Sequence, residues 1–167
     1  MLNSGVAIDW RNALVICTVL VASPANAQQQ DGTEVDPGPS NRAFITQLGE
    51  AQRATIEQHN ILGGLLSGAI QQNGIGNNAS ISLEGGDLFG SVTQTGDGNQ
   101  AVLEIRDEHN RGTIEQYGDG NSAGLQIDGY GKDVTVIQEG NGNAYNGPIK
   151  VSGDTPGGLP ITIRQHR

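Results

Sequence analysis

The chain has 167 residues, 26 of them glycine, with 4% aromatics and a formal net charge of −9 at pH 7. This length fits a single domain. The acidic balance and the scattered Lys and Arg argue against a nucleic-acid partner, because phosphate binding needs basic clusters.

Residues 1–27 read as an export signal. Arg11 ends a short polar segment, and Ala13 to Ala22 is a run too short to span a bilayer. Ser23-Pro24-Ala25-Asn26-Ala27 then ends in an Ala-x-Ala-like cleavage site. A buried N-terminal helix would not explain that site. Asp9 leaves the first segment only weakly positive. The single cysteine, Cys17, lies inside the apolar run, so a chain starting at Gln28 carries no thiol and no disulfide.

Residues 28–42 read as a disordered, Gln-rich leader. Gln28 to Ser40 has no hydrophobic periodicity and holds two prolines. Residues 43–151 are repeats, and residues 152–167 hold a partial C-terminal repeat, Ile161 to Gln165, after Pro156 and Pro160.

The repeat is legible as columns. Asn77, Asn99, Asn121 and Asn143 recur every 22 residues, each closing a Gly-x-Gly-Asn turn such as Gly96-Asp97-Gly98-Asn99. A fixed period near 20 residues marks a stacked repeat. Within a unit apolar and polar residues alternate, as in a strand with one buried face. Val92 and Gln94 point one way while Ser91, Thr93 and Thr95 point the other. After the turn, Ala101, Leu103 and Ile105 point inward. A second turn, Asp107-Glu108-His109-Asn110, closes the unit. In the tight turn the two glycines permit positive φ, and Asn tolerates it.

Stepping by 22 aligns Ile70, Val92, Ile114 and Val136 as one apolar column, and Leu83, Ile105, Ile127 and Ile149 as another. Gln72, Gln94, Gln116 and Gln138 form a third column. Gln47 and Gln58 belong to the first unit, which an insertion within Ile61 to Ser67 separates from the second. Stacked glutamines can bond amide to amide at ~4.7–4.8 Å spacing, which rewards register. An outward column, Glu84, Arg106, Asp128 and Lys150, alternates in sign and reads as a register device. The turn column Ile75, Asp97, Asp119 and Asn141 stacks two like charges, which disfavours tight packing. The expected fold is therefore all-β: a β-solenoid of about five strand-turn-strand repeats of ~22 residues, cross-β when assembled.

One unit buries too few apolar groups to offset the cost of ordering its own backbone, so neighbours are required. Its ends carry unpaired backbone groups and no capping helix is evident, so another copy of the chain is the expected partner. Two other classes fit less well. A calcium-binding β-roll would repeat every nine residues, and only Asp97 and Asp119 among the four turns supply a carboxylate. An enzyme would need a grouped nucleophile, base or metal set, and His59, His109 and His166 share no spacing with one. No catalytic, cofactor or metal residue is assigned.

The pattern Gln94-Thr95-Gly96-Asp97-Gly98-Asn99-Gln100-Ala101 resembles the curlin repeat. It recurs at Gln72 to Ala79 and at Gln116 to Ala123, and at Gln138 to Asn143 without the final Ala. The resemblance covers about Ala43 to Gln165. It implies a secreted structural subunit of curli, the functional amyloid fibres of biofilm matrix and cell adhesion. It also implies export through the periplasm and an outer-membrane channel with periplasmic assembly factors, and partnership with other curlin subunits at the cell surface. Two departures stand out. The family's second glutamine is replaced by Leu83, Ile105, Ile127 and Ile149, and only Gln58 keeps it. The basic ending Ile161 to Arg167 is similar to the charged tail of the minor, nucleating curlin, so major subunit and nucleator both stay open.

Overall fold

The computed structural model describes residues 14–20, 41–153 and 159–167. Every regular element among them is a β-strand. In chain order these are β1 (Leu14–Leu20), β2 (Asn41–Glu50), β3 (Arg53–Asn60), β4 (Leu66–Ile75), β5 (Asn78–Gly86) and β6 (Leu88–Thr95). They continue as β7 (Gln100–Glu108), β8 (Arg111–Tyr117), β9 (Ser122–Gly129), β10 (Asp133–Glu139), β11 (Ile149–Gly153) and β12 (Ile161–His166). The expected export signal contains β1. Most of the expected leader, Gln28 to Ser40, and Pro156 lie outside the described residues.

Alternation in the sequence sets the two faces of each strand. In β6 Leu88, Gly90, Val92 and Gln94 are buried and the residues between them are not. In β7 the buried set is Ala101, Leu103 and Ile105. The strands make two six-stranded sheets. One runs β1-β3-β5-β7-β9-β11 and the other β12-β10-β8-β6-β4-β2. The chain alternates between them, so each coil gives one strand to each sheet. The buried aliphatic columns of the two sheets form a single core. This is the all-β solenoid that the 22-residue period predicts, with about five stacked coils.

Register follows the period through the middle of the stack. Val92 faces Ile70 on one side and Ile114 on the other. Leu83 faces Ile105, which faces Ile127. Between the first two coils both sheets step by 25, with Gln47 facing Gln72 and Arg53 facing Asn78. The extra residues therefore lie in the loop between β3 and β4, within the span the sequence marks.

The last full coil departs from the expected columns. Ile149 faces Leu125, and Val151 takes the place opposite Ile127. Lys150 accordingly faces Gln126, and Ser152 faces Asp128, so Lys150 leaves the charge column. The physical cause is a bulge of two extra residues. Ala144 still sits opposite Ser122 at the 22-residue step. The Gly147 N–H then donates to the Tyr145 carbonyl, and Gly147 takes a φ of 95°. Pro148 comes to rest over Gly124, the one column position with no side chain in its way. Proline cannot donate to a ladder, and here it occupies the entry to β11.

A second correction concerns the turn asparagines. Gly96 and Gly98 take positive φ, 111° and 66°, but the asparagines do not. Their place in the turn rests on their side chains, which point into the stack.

Candidate assembly interface

The glutamine column is buried in the core. Gln47, Gln72, Gln94, Gln116 and Gln138 have at most 2% of their surface exposed. Their amides form one continuous chain. Gln47 Nε2 donates to Gln72 Oε1 at 2.7 Å, Gln72 to Gln94 at 2.8 Å, Gln94 to Gln116 at 2.8 Å and Gln116 to Gln138 at 2.8 Å. Gln138 then donates to Gln165 at 3.0 Å. Each amide has a second N–H to place. It crosses to the opposite sheet: Gln94 to the Asn78 carbonyl, Gln116 to that of Gln100 and Gln138 to that of Ser122. One column thus stacks the coils and ties the two sheets together. It also has a direction, since every donor points toward the C-terminal end.

The asparagines build a second ladder at the hairpin edge. Asn77 Oδ1 accepts the backbone N–H of Asn99, Asn99 that of Asn121, and Asn121 that of Asn143, at 2.9 to 3.0 Å. The side-chain amides of Asn77, Asn99 and Asn121 donate to the carbonyls of Gly96, Gly118 and Gly140 in the next coil. Four buried asparagines therefore close backbone groups that the turn geometry would leave unpaired.

The aspartates of the turn column are also tied down. Asp97 accepts the Ile75 N–H at 2.8 Å, Asp119 accepts the Asp97 N–H at 2.9 Å, and Asn141 accepts the Asp119 N–H at 2.8 Å. Like charges do stack there, as the sequence suggests. Each carboxylate is held by a charge-assisted bond to backbone, so the column packs tightly despite them. Each bond uses one oxygen, Oδ1, of its carboxylate.

In the charge column Arg106 sits between Glu84, at 4.0 Å, and Asp128, at 3.8 Å, with Glu104 at 3.9 Å. All are about half exposed, so each pair contributes roughly 0–1 kcal/mol. Tyr117 lies at the end of β8. Partial burial, and then the neighbouring Glu115 and Glu139, push its phenol above the ordinary tyrosine range.

Three residues of the ladders are absent from the sequence-derived sites. Gln52 is fully buried and its amide donates to the carbonyls of Leu48 and Gly74. That is the asparagine role, one coil earlier, and the 25-residue step hides it from a 22-residue search. Asn110 is buried in the second turn, where its amide donates to Arg106 and Gly129 and its oxygen accepts the Lys132 N–H. Leu88 and Leu66 stand at the matching place in the two coils before it, and asparagine returns only at Asn41 in the first coil, so no 22-residue run signals it. Gln165 is the sixth rung, at a step of 27 from Gln138. Gln58, by contrast, lies outside the ladder. It is buried opposite Leu83, and its amide donates to the Arg42 carbonyl.

The ends of the stack are its chemically incomplete parts. Among the described residues β2 and β12 are the edge strands of one sheet, and β11 has no partner beyond it in the other. Among the described residues four buried acceptors lack a donor: the Oε1 atoms of Gln47, Gln52 and Gln58 in the N-terminal coil, and Asn143 Oδ1 in the last Gly-x-Gly-Asn turn. Such orphaned groups cost roughly 1–3 kcal/mol each, which another chain can recover by supplying a donor.

Parallel coils, in-register amide ladders and open edges define a β-solenoid repeat protein built for stacking. The family model of the curlin associated repeat matches residues 109–144, which run from the second turn of the third coil through β8, β9 and β10 to the turn of Asn143. The match covers 36 of the 167 residues, and over that stretch the chain is similar to the curlin associated repeat. No curated protein and no solved structure matches the chain.

Proposed function

We propose that this chain is a secreted subunit of curli-like extracellular fibres that support biofilm matrix and cell adhesion. The observation that carries the reading is the buried glutamine ladder, which runs the length of the stack and is unfinished at its N-terminal rung. A soluble solenoid would close such an end with a cap. The mature chain from Gln28 reaches the surface through an outer-membrane secretion channel with periplasmic assembly factors, and joins other curlin subunits. Its work is structural, with no catalytic step, cofactor or metal. The purified chain should give thioflavin-positive fibres whose diffraction has the ~4.7–4.8 Å strand repeat. A chain that stays monomeric for days at tens of micromolar would sink the reading.

A nucleating role is a second reading, and the C-terminal end favours it. There the bulge at Tyr145 and Pro148 shifts register, and β12 carries Arg164 and His166. A nucleator should shorten the lag of a second curlin when added at a small fraction of its concentration. If it leaves that lag unchanged, the major-subunit role stands.

A further inference from the structure

We infer that Asn146 is a site of self-modification, where the Gly147 backbone nitrogen closes on the side chain and converts the asparagine to aspartate or isoaspartate. The inference needs only the solenoid and stands apart from the fibre reading. The sequence has three Asn-Gly pairs, Asn73-Gly74, Asn141-Gly142 and Asn146-Gly147. Ring closure is easiest before glycine, because no side chain shields the attacking nitrogen or restricts its backbone. All three asparagines are exposed, so it is hydrogen bonding that separates them.

The turn column shows how stacking protects such a pair. Asn141 Oδ1 accepts the Asp119 N–H at 2.8 Å, and the Gly142 N–H donates to the Asp119 carbonyl at 2.8 Å. One residue of the preceding coil thus holds both reacting groups. The aspartates of the column are held alike, Asp119 and Gly120 on Asp97, and Asp97 and Gly98 on Ile75. A nitrogen whose proton is committed to a carbonyl is a poor nucleophile, and a fixed side chain cannot bring its Cγ onto that nitrogen. Gly74 lies inside the β2–β4 ladder opposite Gly49, so freeing it requires the first two coils to part.

The bulge has no such clamp. Among the described residues no hydrogen bond holds the Asn146 side chain. The Gly147 N–H donates at 3.0 Å to the Tyr145 carbonyl, inside its own turn and to no other coil. Open space surrounds Gly147, where a Cβ would meet nothing within 4 Å. Opening this turn therefore leaves the stacked coils intact. In the step, the Gly147 nitrogen bonds to Asn146 Cγ and loses its proton, and the side-chain nitrogen leaves as ammonia. Water then opens the ring at either carbonyl, giving aspartate, or isoaspartate with its longer backbone. Residues 146–148 pair with no strand, so the bulge has slack for that extra length. Each event adds one negative charge at the last full coil.

The experiment incubates the full chain at mildly alkaline pH, folded and, in parallel, in guanidinium. Peptide mapping by mass spectrometry reads conversion of amide to acid at each pair. In the folded chain Asn146 is expected to convert several-fold faster than Asn141 and Asn73. In guanidinium the three rates should converge, because the clamps are gone. Equal rates in the folded chain, or the same ratio in denaturant, would overturn the proposal. So would a chain without strand signal in circular dichroism, which has no clamp to compare. Asn146→Gln tests the ring itself, since glutamine would have to close a larger one, and should keep its amide. Conversion of that variant at the asparagine rate would mean direct hydrolysis by water, and would overturn the proposal too. No arm depends on fibre formation, so each outcome leaves the subunit reading to its own test.

Discussion

Gln94 and Gly96 carry the residue-scale logic of this chain. Gln94 lies in the core yet has every polar group matched, accepting from Gln72 and donating to Gln116 and Asn78. A buried amide is tolerable only in such a network, and the network exists only when coils stack in register. Two positions apart, Gly96 and Gly98 use the same residue type for different reasons. A Cβ on Gly96 would run into the backbone carbonyl of Gly118 in the next coil, whereas one on Gly98 would meet nothing. Gly98→Ala should therefore cost only the left-handed backbone penalty, about 1–2 kcal/mol. Gly96→Ala adds a clash that no side-chain motion relieves, and should cost several-fold more or stop assembly. Denaturant midpoints of fibres from the two variants would check this, and equal losses would contradict it.

Strands β6 to β9 pack between like neighbours, and their inward side chains are buried. β11 and β12 differ. Ile149 and Val151 are only partly buried, and β12 lies at a sheet edge with Ile161 exposed. Local stability follows buried apolar contact and protected backbone. Backbone amides of β11 and β12 should exchange with deuterium well before those of β6 to β9 in the single chain. Even protection along the stack would mean that the bulge at Tyr145 costs nothing. The half-exposed pairs around Arg106 are too weak to set this order.

At the scale of the molecule, the net charge of −9 opposes the approach of one copy to another. Raising ionic strength from about 0.01 M to about 0.15 M shortens the screening length from about 30 Å to about 8 Å. The lag before fibre formation should fall over that range. A lag that lengthens with salt would show that charge attraction, such as that of the basic β12 segment for an acidic neighbour, outweighs the overall repulsion.

The 22-residue step by itself determined the fold, the coil count, the inward faces and the glutamine and asparagine columns. These are legible because strand alternation and fixed spacing are local properties, and every coil repeats them. Only the tertiary structure decided the rest. It moved Ile149 and Lys150 out of their columns, because a two-residue bulge lets Pro148 settle on Gly124. It gave the asparagines a hydrogen-bonding role in place of a conformational one, and it brought Gln52 and Gln165 into the ladders from unequal steps. It also fixed which way the glutamine amides point, each donating toward the C-terminal end. The physical reason is shared. Where one coil copies another, the spacing alone sets the pairing. At bulges, insertions and ends, several pairings are open, and contacts between residues distant in sequence choose among them.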